Sequence, residues 1–167
     1  MRILILGGTA GLALFALISP DHRAEASLGD RSGRIGDARL APKQGPGETR
    51  GHACLLRRDN RAEVELTLRA LPRPSRKVLV VWLKGRGSKA RMGGQLRYTS
   101  RDFGGSARVP GGRGGRYALT HARRVVLALL SKERAAQVET AAELSRGRKA
   151  MRIQGLKIAG GRVERQY

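Results

Sequence analysis

Ala62-Glu63-Val64-Glu65-Leu66-Thr67-Leu68-Arg69-Ala70, followed after a proline-bearing break by Val78-Leu79-Val80-Val81-Trp82-Leu83, decides the fold class. In the first stretch Ala62, Val64, Leu66, Leu68 and Ala70 alternate with Glu63, Glu65, Thr67 and Arg69. A period of two puts apolar side chains on one face of an extended strand and polar ones on the other. Pro72 and Pro74 end this strand, because neither can donate to a ladder. The second stretch is apolar throughout and of strand length, which predicts a central strand covered on both faces.

Outward from this pair, His52 to Leu56 predicts a partner strand, with Arg58-Asp59-Asn60-Arg61 as the turn. Asp and Asn bond their local backbone and tolerate left-handed conformations. Gly94 to Thr99 alternates weakly through Leu96 and Tyr98, and Gly104-Gly105 opens a short strand carrying Ala107 and Val109. Gly111 to Gly115 reads as a loop. Val125 to Leu130 predicts a further strand, and Met151 to Ile158 the last one, weakened at Gly155. Lys132 to Arg146 breaks the pattern. Ser131 as N-cap, Glu133 in the first turn and Gly147 at the stop predict a surface helix. Short strands between Gly/Pro turns, without βαβ alternation, predict an all-β fold: an antiparallel β-sandwich of about seven strands with one short surface helix.

The N-terminus has a different character. Met1-Arg2 is followed by Ile3 to Ile18, 16 residues without a charge, and then by Ser19-Pro20-Asp21-His22-Arg23 and the small-x-small triplet Ala24-Glu25-Ala26. This is the order of a secretory signal peptide, with cleavage between Ala26 and Ser27. The apolar run falls short of the roughly 20 residues of a comfortable span, so a retained membrane anchor is the second reading. Either way the expected location is extracytoplasmic, periplasmic or secreted. Ile3 to Gly11 also resembles the first strand and glycine turn of a dinucleotide-binding fold. Yet Leu12 to Ile18 is apolar on every face, and Asp30 ends no strand pattern. The expected organisation is residues 1–26 as signal or anchor, 27–50 as a flexible Gly/Pro/Arg-rich tether, 51–158 as the domain and 159–167 as a basic tail.

Thirty-four Lys and Arg stand against 13 Asp and Glu, a net charge of +21. Cleavage after Ala26 removes two charges of each sign and leaves that figure unchanged. Such a charge attracts polyanions. For an exported chain the expected partners are an anionic cell-surface polymer or an envelope protein, the membrane itself if the anchor is retained, and not nucleic acid in vivo. Lys84, Arg86, Lys89, Arg91, Arg97, Arg101 and Arg108 form the candidate anion-binding group, and Arg113, Arg116, Arg123 and Arg124 a second one. Forked Arg donors suit phosphate and carboxylate. Long basic side chains covering an exposed face explain the same residues without a ligand. Trp82 and Tyr98 are formally stacking platforms for bases, although Trp82 stands in an all-apolar run that points to the core.

Catalytic chemistry finds little to use. His22, His52 and His121 are scattered, and no Gly-x-Ser-x-Gly elbow or carboxylate pair stands out. The single cysteine, Cys54, cannot form an internal disulfide, and no zinc set closes around it. It reads as a small buried apolar residue sharing a strand face with His52. No catalytic residue, cofactor or metal is expected.

The stretch Ala62 to Pro74 followed by Val78 to Leu83 resembles the extracytoplasmic domain of the anti-sigma-K factor type, in which a strand ends in Leu-Pro and the next carries Trp-Leu. Gly85 to Ala90, Met92 to Leu96 and Phe103 to Pro110 stand where that family has its glycine-bearing turn, "leucine-glycine" strand and Gly-rich segment. Arg124 to Leu129 matches a later strand. The resemblance covers roughly residues 51 to 156 and implies an export-side β-sandwich acting as a sensor or interaction module. Only Met1 and Arg2 precede the apolar segment, and the His-x-x-x-Cys-x-x-Cys motif is lacking, so sequestration of a sigma factor is not expected of this chain alone. A shorter stretch, Lys84 to Ala90 with Leu96-Arg97-Tyr98 and Arg101-Asp102, resembles part of certain plasmid relaxases. The export signal argues against such a DNA-processing role. The expected function is a non-enzymatic binding module, with a membrane-anchored envelope sensor as the alternative.

Overall fold

The computed structural model describes residues 33–43, 48–58, 61–73 and 76–165. The segment expected to be a signal or anchor (residues 1–26), the expected cleavage site between Ala26 and Ser27, Asp59-Asn60 and Pro74 lie outside the described residues. The strands are β1 (Gly33–Pro42), β2 (Arg50–Arg58), β3 (Arg61–Arg69), β4 (Lys77–Lys84), β5 (Ala90–Leu96), β6 (Phe103–Arg108), β7 (Arg124–Ser131) and β8 (Leu156–Arg165). Helix α1 (Gly112–Thr120) precedes β7, and α2 (Lys132–Leu144) follows it. All neighbouring strands are antiparallel, in the order β5-β4-β7-β8-β1-β2-β3-β6. The fold is all-β and antiparallel as expected, with eight strands among the described residues for the expected seven or so, and two helices for one.

The sheet curls because β8 serves both halves. Its residues Leu156 to Arg162 pair with β7 and Ala159 to Arg165 pair with β1, so the strand bends through Gly160-Gly161. A Cβ on Gly161 would lie 2.0 Å from the Arg39 carbonyl oxygen, and only glycine permits that approach. At the far ends β5 meets β6: a Cβ on Gly94 would lie 2.5 Å from the Arg108 carbonyl oxygen. The two faces of a sandwich are thereby joined into a partly closed barrel.

Alternation then builds two cores. Ala62, Val64, Leu66 and Leu68 of β3 point inward, as their period requires, beside Leu79, Val81 and Leu83 of β4 and Val125, Leu127 and Leu129 of β7. The other faces of β4 and β7 carry Val78, Val80, Trp82, Val126, Ala128 and Leu130, covered by Ala135, Val138 and Ala142 of α2. Val78 to Leu83 is buried on both faces for this reason. The Ser131 side chain accepts from the Arg134 N–H at 3.2 Å and starts α2 where the sequence places it. Small side chains on the inward face of α2 let it lie close on the sheet.

Four boundaries differ from expectation. Residues 33–42 of the expected tether form β1, whose inward face is Gly36, Ala38 and Leu40. Small residues between charged ones hide the period there. The expected tail is strand as far as Arg165, so the domain continues beyond residue 158. The last strand begins at Leu156 and not at Met151, because Gly155 takes φ +89° and turns the chain. Gly111 to Gly115, expected as a loop, caps and begins α1. A Cβ on Gly114 would lie 2.1 Å from the Arg146 carbonyl oxygen, so the glycines allow close packing of α1 on the chain beyond α2. The Glu143 carboxylate accepts from the Gly111 N–H at 3.1 Å, a negative group at the helix start.

Candidate anion-binding clefts

The cross-strand register assembles the main basic surface. Lys84 at the end of β4 stands opposite Arg124 at the start of β7, and Arg124 stands opposite Arg162 of β8. Ala38 pairs with Val163, and the same register sets Arg39 of β1 opposite Arg162. The inward neighbours Leu83, Val125, Ala38 and Leu40 belong to the core, and Val163 packs against it, so alternation sends these four cations to the outer face. Like charges directly opposite one another destabilise a sheet, yet four adjacent strands carry them in a row.

This row borders an open groove of about 830 Å³ where β8 bends away from β7. Lys43 and Lys157 complete its basic lining, with Val126, Ile153 and Leu156 as apolar floor, and no carboxylate lines it. Glycine at 160 and 161 leaves the floor without side chains at the bend.

A second cleft, about 720 Å³, lies beyond the same strand ends under α1. Arg86, Lys89, Arg91, Arg123 and Arg165 line it, again with no carboxylate. Tyr117 and His121, one helical turn apart, stack at 3.9 Å between ring centroids. The Arg91 guanidinium lies over the Tyr117 ring at 5.1 Å and its Nε–H donates to the Arg148 carbonyl at 3.4 Å. Arg165 donates to the Thr120 carbonyl. The two clefts meet through Lys84-Gly85 and Arg123-Arg124, where the Arg123 N–H donates to the Lys84 carbonyl at 2.8 Å.

The sequence-predicted cations are divided by the fold. Arg86, Lys89 and Arg91 come together in the end cleft, and Lys84 stands in the groove. Arg97 lies beside Lys132 near the start of α2. The Arg101 side chain donates to the Leu71 carbonyl at 3.1 Å, and Arg108 lies near Arg61 and Glu143. Of the second group, Arg123 and Arg124 join the clefts. Arg39, Lys43, Lys157, Arg162 and Arg165 carry no sequence signal of their own, because only the register places them. Trp82 and Tyr98 are buried, which removes both as stacking platforms for bases.

Cys54 departs from expectation. It shares the outer face with His52 but is half-buried, and its thiol donates to the Asp37 carboxylate at 3.0 Å. Burial, reinforced by Asp37, pushes the thiol up to about 11. Burial opposes ionisation of Asp37, but hydrogen bonds from Arg34 and Cys54 outweigh it and hold the carboxyl below its usual range.

Fold and clefts together define a basic, partly closed antiparallel barrel with two neighbouring clefts lined by cations and by no carboxylate. No protein-family model, no curated protein and no solved structure matches the chain. Among the described residues no helix is long and apolar enough to cross a membrane.

Proposed function

We propose that this chain is an exported or membrane-tethered binding module that holds an anionic envelope polymer along the groove bordered by Lys84, Arg124, Arg162 and Arg39. The observation that carries this reading is the in-register row of like charges with no carboxylate among the groove's lining residues. Elsewhere in the sheet carboxylates offset such pairs: Arg58 stands opposite Arg61 but forms diagonal ion pairs with Glu63 and Glu65. A row of one sign is stabilised by a ligand of the other. Lys and Arg side chains are hydrogen-bond donors without an acceptor, which suits holding anionic groups. The signal-like order of residues 1–26 supports a partner in the envelope, and a protein with an acidic face presents the same chemistry. A resemblance to anti-sigma-type extracytoplasmic domains stays part of this proposal, resting on the strand pattern around Trp82.

Titration of the full chain with fluorescently labelled polyphosphate tests the groove. Affinity is expected to fall steeply with salt, and Arg124→Gln with Arg162→Gln to lower both affinity and the salt slope, by about one per cation removed. Salt-insensitive binding, or equal binding by the double variant, would overturn the reading. Export is tested separately by the mass of the mature chain. Loss of residues 1–26 indicates release, and the full chain in the membrane fraction indicates a retained anchor and favours the sensor role.

A further inference from the structure

We infer that the end cleft is a second anion site, distinct from the groove, built for a phosphomonoester group. Two of its four guanidinium groups have neutral partners within the fold. Arg91 is fixed by the Arg148 carbonyl and the Tyr117 ring, and Arg165 by the Thr120 carbonyl. Neutral acceptors orient these side chains without cancelling their charge, which lowers the ordering cost of binding, and each guanidinium keeps further N–H donors. Five cations around one cleft exceed what a single carboxylate balances. A phosphomonoester carries about −1.5 to −2 at pH 7 and three strong acceptor oxygens, which matches several forked donors at once. A phosphodiester offers one charge and fewer free oxygens, and it suits the open groove better. The Tyr117–His121 stack walls one side of the cleft, with Tyr117 half exposed.

Calorimetric titration of the full chain with methyl phosphate and, in parallel, dimethyl phosphate tests the assignment. Methyl phosphate is expected to bind saturably at one site, about tenfold or more tightly than the diester. Arg91→Gln and Arg165→Gln should each weaken it about tenfold, while Arg162→Gln in the groove leaves it within about twofold. Because Arg91 packs on Tyr117, Lys89→Gln serves as a variant without that contact, and it too should weaken binding. No saturable binding, equal affinity for the two esters, or equal loss in all variants would overturn the inference. In the Arg124→Gln, Arg162→Gln background, a glycerol-phosphate oligomer ending in a phosphomonoester is compared with the same oligomer after phosphatase treatment. Loss of binding on treatment makes a polymer end the ligand. If the oligomer does not bind by its end while methyl phosphate does, the ligand is a small ester. Failure of polyphosphate to bind the groove leaves these outcomes unchanged, so the two proposals fall separately.

Discussion

Replacing Arg124 by Gln removes the middle charge of the row and should stabilise the free protein while weakening its hold on a polyanion. Arg124 has Lys84 opposite on one side and Arg162 on the other, with strands about 4.8 Å apart. At roughly 5 Å in water each neighbour repels it by about 0.8 kcal/mol. Two neighbours give about 1.7 kcal/mol, which a screening length of about 8 Å at physiological salt lowers to roughly 0.9, and about 3 Å at 1 M salt to roughly 0.3. Exposed side chains also swing apart, so the realised gain at low salt is about 0.5–1 kcal/mol, a rise in Tm of roughly 2–5 °C. Urea unfolding of the wild type and Arg124→Gln, in low salt and in 1 M NaCl, measures it. Arg58→Gln is the control of opposite sign, because the ion pairs of Arg58 with Glu65 at 3.0 Å and Glu63 at 3.5 Å outnumber its one like-charged register partner, Arg61. No gain in Arg124→Gln at low salt, or a gain that persists undiminished in 1 M salt, would refute the like-charge row.

Four further outcomes follow from the packing and its ion pairs. Gly161→Ala sets a methyl group against the Arg39 carbonyl and should destabilise by about 1–3 kcal/mol, whereas Gly33→Ala, with open space at that position, should be close to neutral in the same urea titration. Trp82, the sole tryptophan, is fully buried under α2, so its emission should be blue-shifted and insensitive to iodide until the chain unfolds; quenching in native buffer would contradict the outer core. Cys54, with its thiol raised to about 11, should react with iodoacetamide at pH 8 about a hundredfold more slowly than a free thiol, and Asp37→Asn should speed it. Asp37 itself, depressed by Arg34 and Cys54, stabilises the fold above its unfolded pKa and loses that contribution as pH falls through its folded value, so acid unfolding of Asp37→Asn should lack this part of the pH dependence.

The strands with strong signals were legible because their side chains differ sharply in polarity. β3 shows a clean alternation, and β4 and β7 an uninterrupted apolar run that two cores require. β1 was not legible, because Gly36 and Ala38 serve as its buried positions and carry little hydropathy of their own. The second half of β8 was hidden by the same kind of residue at Ala159, Gly160 and Gly161, where closeness to β1 excludes side chains. α1 looked like a glycine loop because its glycines answer to a neighbour packed on them and not to helix propensity. Arg86, Lys89 and Arg91 were found since they are near in sequence. The Lys84–Arg124–Arg162–Arg39 row spans four strands from distant parts of the chain, and its register depends on the bulges and turns between them.

The most direct measurement is the backbone amide NMR spectrum of the chain during titration with polyphosphate. Saturable shifts concentrated at Arg39, Arg124, Gly160, Gly161 and Arg162 are the expected result. Shifts spread evenly over the exposed arginines, with Arg57 and Arg69 of the opposite strands moving as much as Arg124, would mean that net charge alone attracts the polymer and that the groove holds nothing.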